Sequence, residues 1–351
     1  MKIKYGCMCY AVPQKLLRHL ADNSDDERRG TLATQIRHSA QLRGQRAASR
    51  KDAASQKAGN RPGHHQVFDG HGQTFLPGTL LRDEDALAGS DKVGNSAYEN
   101  VGIALQFFRD VFGLNSVDGK GLRIDTTVHY GNAFANAMWT GEQMIVGDGD
   151  NRDVRGLANS LGIIAHELSH GVTQHMINGG LGVVQMAGQP PTLKGEAGAL
   201  NESFSDVCAS MVKQWHAGES VTAADWLMGE DVLAPRAGKA IRSLKDPGNA
   251  KLTWSHDDQI NDYRRYKPTD DPHKASGIAN KAFYVAAMEL GGHSWEALGL
   301  LWLKGFEGLR ARASFLDAAH ATTAVAEKLH GAGSGPHQAV KAGWKAVNVL
   351  R

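Results

Sequence analysis

Three cysteines, Cys7, Cys9 and Cys208, are all that the 351 residues contain, and so small and odd a number argues against a disulfide framework. An excess of charge of either sign is missing too. The net charge of +2 gives no electrostatic reason to expect nucleic acid or an anionic membrane as partner. No apolar run approaches the roughly 18–20 residues needed to span a bilayer. The opening MKIKYGCMCYAVP is weakly basic but has no apolar h-region, so a classical secretory signal is not expected. The run GDGDNRD, residues 147–153, lacks the glycine and distal glutamate spacing of an EF-hand loop and reads as a plain turn.

What is present is ordinary globular material. The chain has 41% hydrophobic and 22% charged residues, and its length allows two domains. Residues 1–50 read as a small helical unit. A helix starts at Pro13 with Leu16, Leu17 and Leu20 on one face, and a second carries Leu32 and Ile36. The polar stretch RAASRKDAASQKAGNRPGHH cannot bury a core and reads as an exposed linker, its Lys and Arg residues a solvated face. Residues 65–150 read as mainly β, interrupted by a helix over SAYENVGIALQFFRDVFG. A helix is expected over residues 153–176, where Val154, Leu157, Leu161, Ile164, Leu168 and Val172 form one buried stripe. From about residue 196 the pattern is helical to the end.

That central helix carries GIIAHELSHGVTQH. Residues four apart stack on one helix face, so His166 and His170 can both reach one metal ion. Glu167, beside the first histidine, points to the open side of the metal, where it can take a proton from water and deliver it to a leaving amine. Such a site needs a third ligand. GEAGALNESFSD, residues 195–206, offers Glu202, and Asp206 one turn on can accept from the other ring nitrogen of His166 and fix its orientation. The bland alternative makes Glu202 and Asp206 exposed helix carboxylates.

HELSH followed by GALNESFSD resembles the thermolysin-like neutral metalloproteases. VHYGNAFANAMWTGEQMIVGDGD, IRSLKDP, DDPHKASGIANKAFY and AVKAGWKAVNV extend the resemblance over about residues 65–351. It implies an α+β fold of two lobes: a β-rich N-terminal lobe over 65–178 that includes the HExxH helix, and an all-α lobe over 179–351. It also implies one catalytic zinc ion on His166, His170 and Glu202, and hydrolysis of peptides with a large apolar residue after the cut. Asn136 and Ala137 would hold the substrate backbone by strand addition, and Arg242 a substrate carbonyl. A plain ion pair with Asp246 is the alternative for Arg242. His273 would stabilise the oxyanion, with Asp270 favoured over Asp271 as the carboxylate that keeps it charged. CMCYAVPQKLLRHLA resembles the short propeptides of the protealysin-like branch. The chain is therefore expected to be a proenzyme whose residues 1–50 inhibit it and are removed by cleavage in the 51–64 linker, with Cys7 or Cys9 able to approach the zinc as a thiolate.

The expected partners are peptide or protein substrates and the chain's own propeptide. Release from the cell without a classical signal is the expected localisation, with the cytoplasm as the alternative. Three departures from the family stand out. The stretch between His170 and Glu202 is about a dozen residues longer than usual, and Leu193 falls where the family has an oxyanion-binding tyrosine. Two acidic positions of the family's double calcium site are Gly162 and Lys213 here, so no calcium is expected there. Met138 replaces an aromatic residue. The altered oxyanion pocket keeps two rivals open: a zinc-binding interaction protein with weak or no catalysis, and a narrow-specificity protease toxin.

Overall fold

The computed structural model of the chain describes residues 10–26, 29–34, 63–184 and 192–351. The N-terminal lobe is built on a five-stranded mixed sheet of β1 (His65–Asp69), β2 (Thr79–Arg82), β3 (Ile124–Val128), β4 (Ala137–Trp139) and β5 (Met144–Val146), in the order β2-β1-β3-β5-β4. β1, β3 and β5 run parallel, and β4 returns antiparallel along β5 as an edge strand. Gly147 holds that edge close: a Cβ there would lie 1.9 Å from the carbonyl oxygen of Phe134, so only glycine fits. The helix α2 (Lys92–Phe112) covers the sheet, capped by Asp91, whose Oδ1 accepts from Gly94 N at 2.7 Å.

The central helix α3 runs from Leu161 to Met176, not from residue 153. Gly156 takes a left-handed φ of 67°, a short 3₁₀ turn covers Leu157–Asn159, and Ser160 is extended and caps Ile163 N. Val154 belongs instead to an isolated bridge with Leu233. Its side chain is still buried, which is why the apolar stripe ran past the true helix start. Gly171 lets α3 lie against β4: a Cβ would sit 3.2 Å from Trp139 and from Val117. The indole N–H of Trp139 also donates to Gln174 at 2.9 Å, tying edge strand to helix.

The C-terminal lobe is helical, with α4 (Gly195–Ala217), α5 (Pro272–Ala275), α6 (Gly277–Leu290), α7 (Ala297–Glu307), α8 (Phe315–His330) and α9 (Gly335–Ala346). Short hairpins join it to the rest: β6 (Val183–Val184) with β7 (Thr192–Leu193), and β8 (Leu227–Met228) with β9 (Arg242–Ser243). α4 packs along α3, which brings the two motif-bearing helices face to face.

The N-terminal helix α1 (Gln14–Asp22) buries Leu16, Leu17, Leu20 and Ala21. Each leucine buried this way contributes about 1.5–3 kcal/mol. Residues 29–34 are helical and Leu32 is buried, while Ile36 lies outside the described residues. Lys15 pairs with Asp258 at 2.7 Å and Asp25 with Arg152 at 3.4 Å. The His19 ring lies 4.3 Å from His256 and 5.5 Å from Trp254, centroid to centroid. Among the described residues no helix is long and apolar enough to cross a membrane.

Candidate metal centre and active site

The Nε2 atoms of His166 and His170 stand 3.2 Å apart on α3. Glu202 meets them from α4, its Oε2 3.6 Å from His166 Nε2 and its Oε1 3.9 Å from His170 Nε2. Ligand atoms of the three lie within 4.8 Å of one another. Both Glu202 oxygens are buried and accept no hydrogen bond. A buried carboxylate without donors is costly unless a cation completes it. Two histidine nitrogens bound tetrahedrally to one zinc ion at about 2.0–2.1 Å are about 3.3 Å apart, so the donor set and its spacing fit zinc.

A second layer orients these ligands. Asp206 Oδ1 lies 2.9 Å from His166 Nδ1, as its place one turn after Glu202 predicts. Neither Glu202 nor Asp206 is an exposed carboxylate; both are buried. His170 Nδ1 contacts Asn201 Oδ1 at 2.9 Å and Ser205 Oγ at 3.1 Å. Asn280 Nδ2 donates to Asp206 at 2.9 Å. Sequence reasoning missed Asn201 and Asn280. Asn201 sits beside the ligand in GALNE, whereas Asn280 is brought in only by tertiary packing.

Arg242 is not paired with Asp246. Its Nε and Nη2 donate to Asp206 at 2.8–3.1 Å, deep in the fold. Burial would raise Asp206, but Arg242 and then His166 hold it far below the usual carboxylate range. Burial pushes Glu167 up to about 8, against the pull of His166 and of the Trp139 N–H, which donates to Oε2 at 2.6 Å. Glu167 Oε1 accepts no hydrogen bond.

Asp270 does not partner His273. Asp271 does: its Oδ1 contacts His273 Nδ1 at 2.8 Å and accepts from the His273 backbone N–H at 2.9 Å, as the cap of α5. Asp270 instead pairs with Lys274 at 2.7 Å, one turn on. Burial opposes the charged form of His273, but Glu202 and Asp271 outweigh it and raise the imidazole to about 9. Leu193, in β7, lines the same cleft as His273.

The N-terminal segment crosses this cleft at Tyr10–Val12, where the chain bends ahead of α1. Ala11 N donates to Ala137 O at 3.2 Å. Val12 N donates to Asn136 Oδ1, and Asn136 Nδ2 to Val12 O, both at 2.9 Å. Arg242 Nη1 donates to Ala11 O at 3.1 Å. His273 Nε2 stands 3.1 Å from Tyr10 O. Asn136, Ala137, Arg242 and His273 thus converge on one peptide segment. The sequence carried no signal for this use of Tyr10–Val12. Cys7 and Cys9 lie outside the described residues.

Some 80% of the way along α4, Lys213 enters a cluster of oxygens. Its ammonium lies 3.4 Å from Asp225 and 3.1 Å from the Leu227 carbonyl, and closer still to Glu230. Gly162 leaves room for its stem: a Cβ there would lie 3.2 Å from Lys213 Cδ. In GDGDNRD, the Asp150 side chain accepts from the backbone N–H groups of Arg152, Asp153 and Val154, an ordinary turn.

Comparison with known proteins agrees with this geometry. The family model for the thermolysin metallopeptidase catalytic domain matches residues 33–174, and that for the thermolysin metallopeptidase alpha-helical domain matches residues 192–349. An "Extracellular metalloprotease" of Pectobacterium carotovorum subsp. carotovorum is 35% identical over 307 residues, covering 84% of this chain and 83% of that protein. A "Thermolysin" of Alicyclobacillus acidocaldarius subsp. acidocaldarius is 31% identical over 297 residues, 81% of this chain but only 50% of that protein. The solved "Precursor of Protealysin" from Serratia proteamaculans superposes with a TM-score of 0.82 at 31% identity, over 97% of this chain and all of that one.

Proposed function

Because this chain belongs to the thermolysin metallopeptidase family, we propose that it is an endopeptidase precursor in which Glu167 is the general base and residues 1–50 are the inhibitor. Zinc metalloprotease activity follows from the family; the roles of individual residues are the proposal. The observation that carries it is the peptide segment held by Asn136, Ala137, Arg242 and His273, beside the His166–His170–Glu202 cluster.

His166, His170 and Glu202 would hold the zinc, held in turn by Asp206 and Asn201. Zinc in such a site acts as a Lewis acid and brings the pKa of water to about 7. Glu167 takes the proton of the attacking water at its uncommitted Oε1 and passes it to the amide nitrogen as the C–N bond breaks. Burial raises the Glu167 carboxyl, which makes it a stronger base for that proton. His273, whose Nδ1 is paired with Asp271, donates from Nε2 to the carbonyl oxygen as charge develops. With Leu193 in place of a tyrosine, His273 serves there without that second donor. Arg242 holds the carbonyl of the residue after the cut, which we expect to be large and apolar, and β4 holds the backbone by strand addition.

Residues 1–50 form the inhibitor, 51–64 the linker cut on maturation, 65–178 and 179–351 the two lobes. Cys7 or Cys9 would add a thiolate to the inhibited site. Lys213 supplies the positive charge that a calcium ion would bring at the Gly162–Lys213 position, so no calcium binds there. Extracellular action is supported by the name of the Pectobacterium relative.

The test is the intact mass of the full chain incubated with zinc, beside Glu167→Ala. Loss of about 50 N-terminal residues from the wild type alone supports the reading. If both stay whole, and protease-trimmed protein with zinc bound still cuts no peptide, the reading is wrong.

A further inference from the structure

Two loops away from the peptide cleft bring cations together. Residues 150–156, ahead of α3, are shaped by the Asp150 side chain and pinned by the bridge of Val154 to Leu233. Leu233 belongs to the loop between β8 and β9. Two more bonds join these loops, from Arg155 N to Val232 O at 3.0 Å and from Ala234 N to Asp153 O at 2.9 Å. The first loop carries Arg152 and Arg155, the second Arg236 and Lys239, and all four residues are exposed. They line one groove, whose inner part is a recess of about 620 Å³ between the loops and α1. Of the residues lining the peptide cleft, the groove shares only Trp254.

We propose that this groove is a binding site for an anion of linked phosphoryl groups. Its charge is one-sided, although the whole chain carries only +2. Asp153 is the one acidic side chain among the described residues that line it, and it is buried and bound to Arg236 Nε at 2.6 Å. Among the described residues, the side chains of Arg155 and Lys239 meet no partner. Arg152 meets Asp25, just past α1, at 3.4 Å in an exposed pair. A carboxylate thus already sits at one of the four cations, which shows the kind of group the groove accepts. The other positions call for more negative charge than one carboxylate brings. Three guanidinium forks match the oxygens of phosphate two at a time, and guanidinium gives up its hydration more easily than ammonium. Linked phosphates can span the arginines and reach Lys239, whereas a lone phosphate engages fewer of them. Asp25 competes with the anion for Arg152.

Isothermal titration of the full-length protein carrying Glu167→Ala with inorganic tripolyphosphate, at fixed ionic strength, tests this without catalysis. Binding should saturate at one anion per chain and be at least about 10-fold tighter than that of orthophosphate. Arg152→Gln with Arg155→Gln should weaken it at least about 10-fold. Lys239→Gln, in the other loop, should weaken it about threefold or more. Asp25→Asn removes the competing carboxylate and should tighten it about two- to fivefold. Lys328→Gln, exposed on α8 away from the groove, should change nothing. Equal affinity for the two phosphates overturns the inference. So does an unchanged affinity for tripolyphosphate in the double variant, which would place the heat elsewhere, at the metal centre for instance. If the double variant does not fold, Lys239→Gln decides by the same criterion.

Discussion

Asp206 is the side chain whose loss should cost the fold and the metal together. It is fully buried, accepts from Arg242 through both oxygens and from Asn280, and stands 2.9 Å from His166 Nδ1. Asp206→Ala leaves the guanidinium of Arg242, itself 1% exposed, without a counter-charge. Breaking one side of a buried ion pair costs about 3–5 kcal/mol. Against a typical total stability of about 5–15 kcal/mol, that is a large share. Replacing both partners avoids the stranded charge, so Asp206→Ala with Arg242→Met should be more stable than Asp206→Ala alone. Zinc affinity should fall about 10- to 100-fold in either background, because His166 loses the acceptor that orients it. Urea denaturation of metal-free protein in the Glu167→Ala background gives the first quantity, and chelator competition gives the second. A loss below about 1 kcal/mol for Asp206→Ala, with unchanged zinc affinity, would refute the reasoning.

Other substitutions probe the remaining parts. Glu167→Gln should keep zinc bound by elemental analysis while peptide hydrolysis falls by about 10²–10⁴. Prosegment docking should weaken in acid. Burial and the neighbouring His256 lower the pKa of His19 in the docked state, so the released segment binds more protons. Docking is therefore strongest above the ordinary histidine pKa of about 6.5 and declines as pH falls through the lowered value. His19→Gln should flatten the pH dependence of trypsin cleavage of the prosegment between pH 8 and 5. Lys213→Met removes the ammonium between Asp225 and Glu230 and should cost about 1–3 kcal/mol. Thermal unfolding measures it, and added calcium should restore part of the loss in the variant and none in the parent.

Much of the metal centre was legible because its parts lie on helices. The His166–His170 spacing and the Glu202–Asp206 spacing each place two side chains on one face, whatever the rest of the chain does. Partners chosen by a single turn were not legible in the same way. Asp270 and Asp271 both precede His273 closely, and the choice falls to Asp271 because it caps α5, while Asp270 is drawn to Lys274. The ion-pair partner of Arg242 is 36 residues away in sequence, on α4, and not the nearer Asp246 that stood as the alternative reading. The start of α3 was misplaced because burial continues where helix does not, at Val154 and Leu157. The segment Tyr10–Val12 has no periodicity to read, since its partners are one edge strand, one arginine and one histidine of the folded chain.

The covalent link to that segment has a consequence for its equilibrium. While prosegment and enzyme are one covalent chain, occupation of the cleft is a unimolecular equilibrium that dilution does not alter. Cutting the connection removes none of the contacts of Tyr10–Val12 or of α1. It does make the segment a free ligand, with an affinity of its own and a dependence on total protein concentration. Newly cut enzyme in a concentrated compartment stays largely occupied, and the same molecules diluted into surroundings below the dissociation constant empty their clefts. If maturation proceeds as proposed, activation is then completed by dilution, at a concentration set by how tightly the released segment binds.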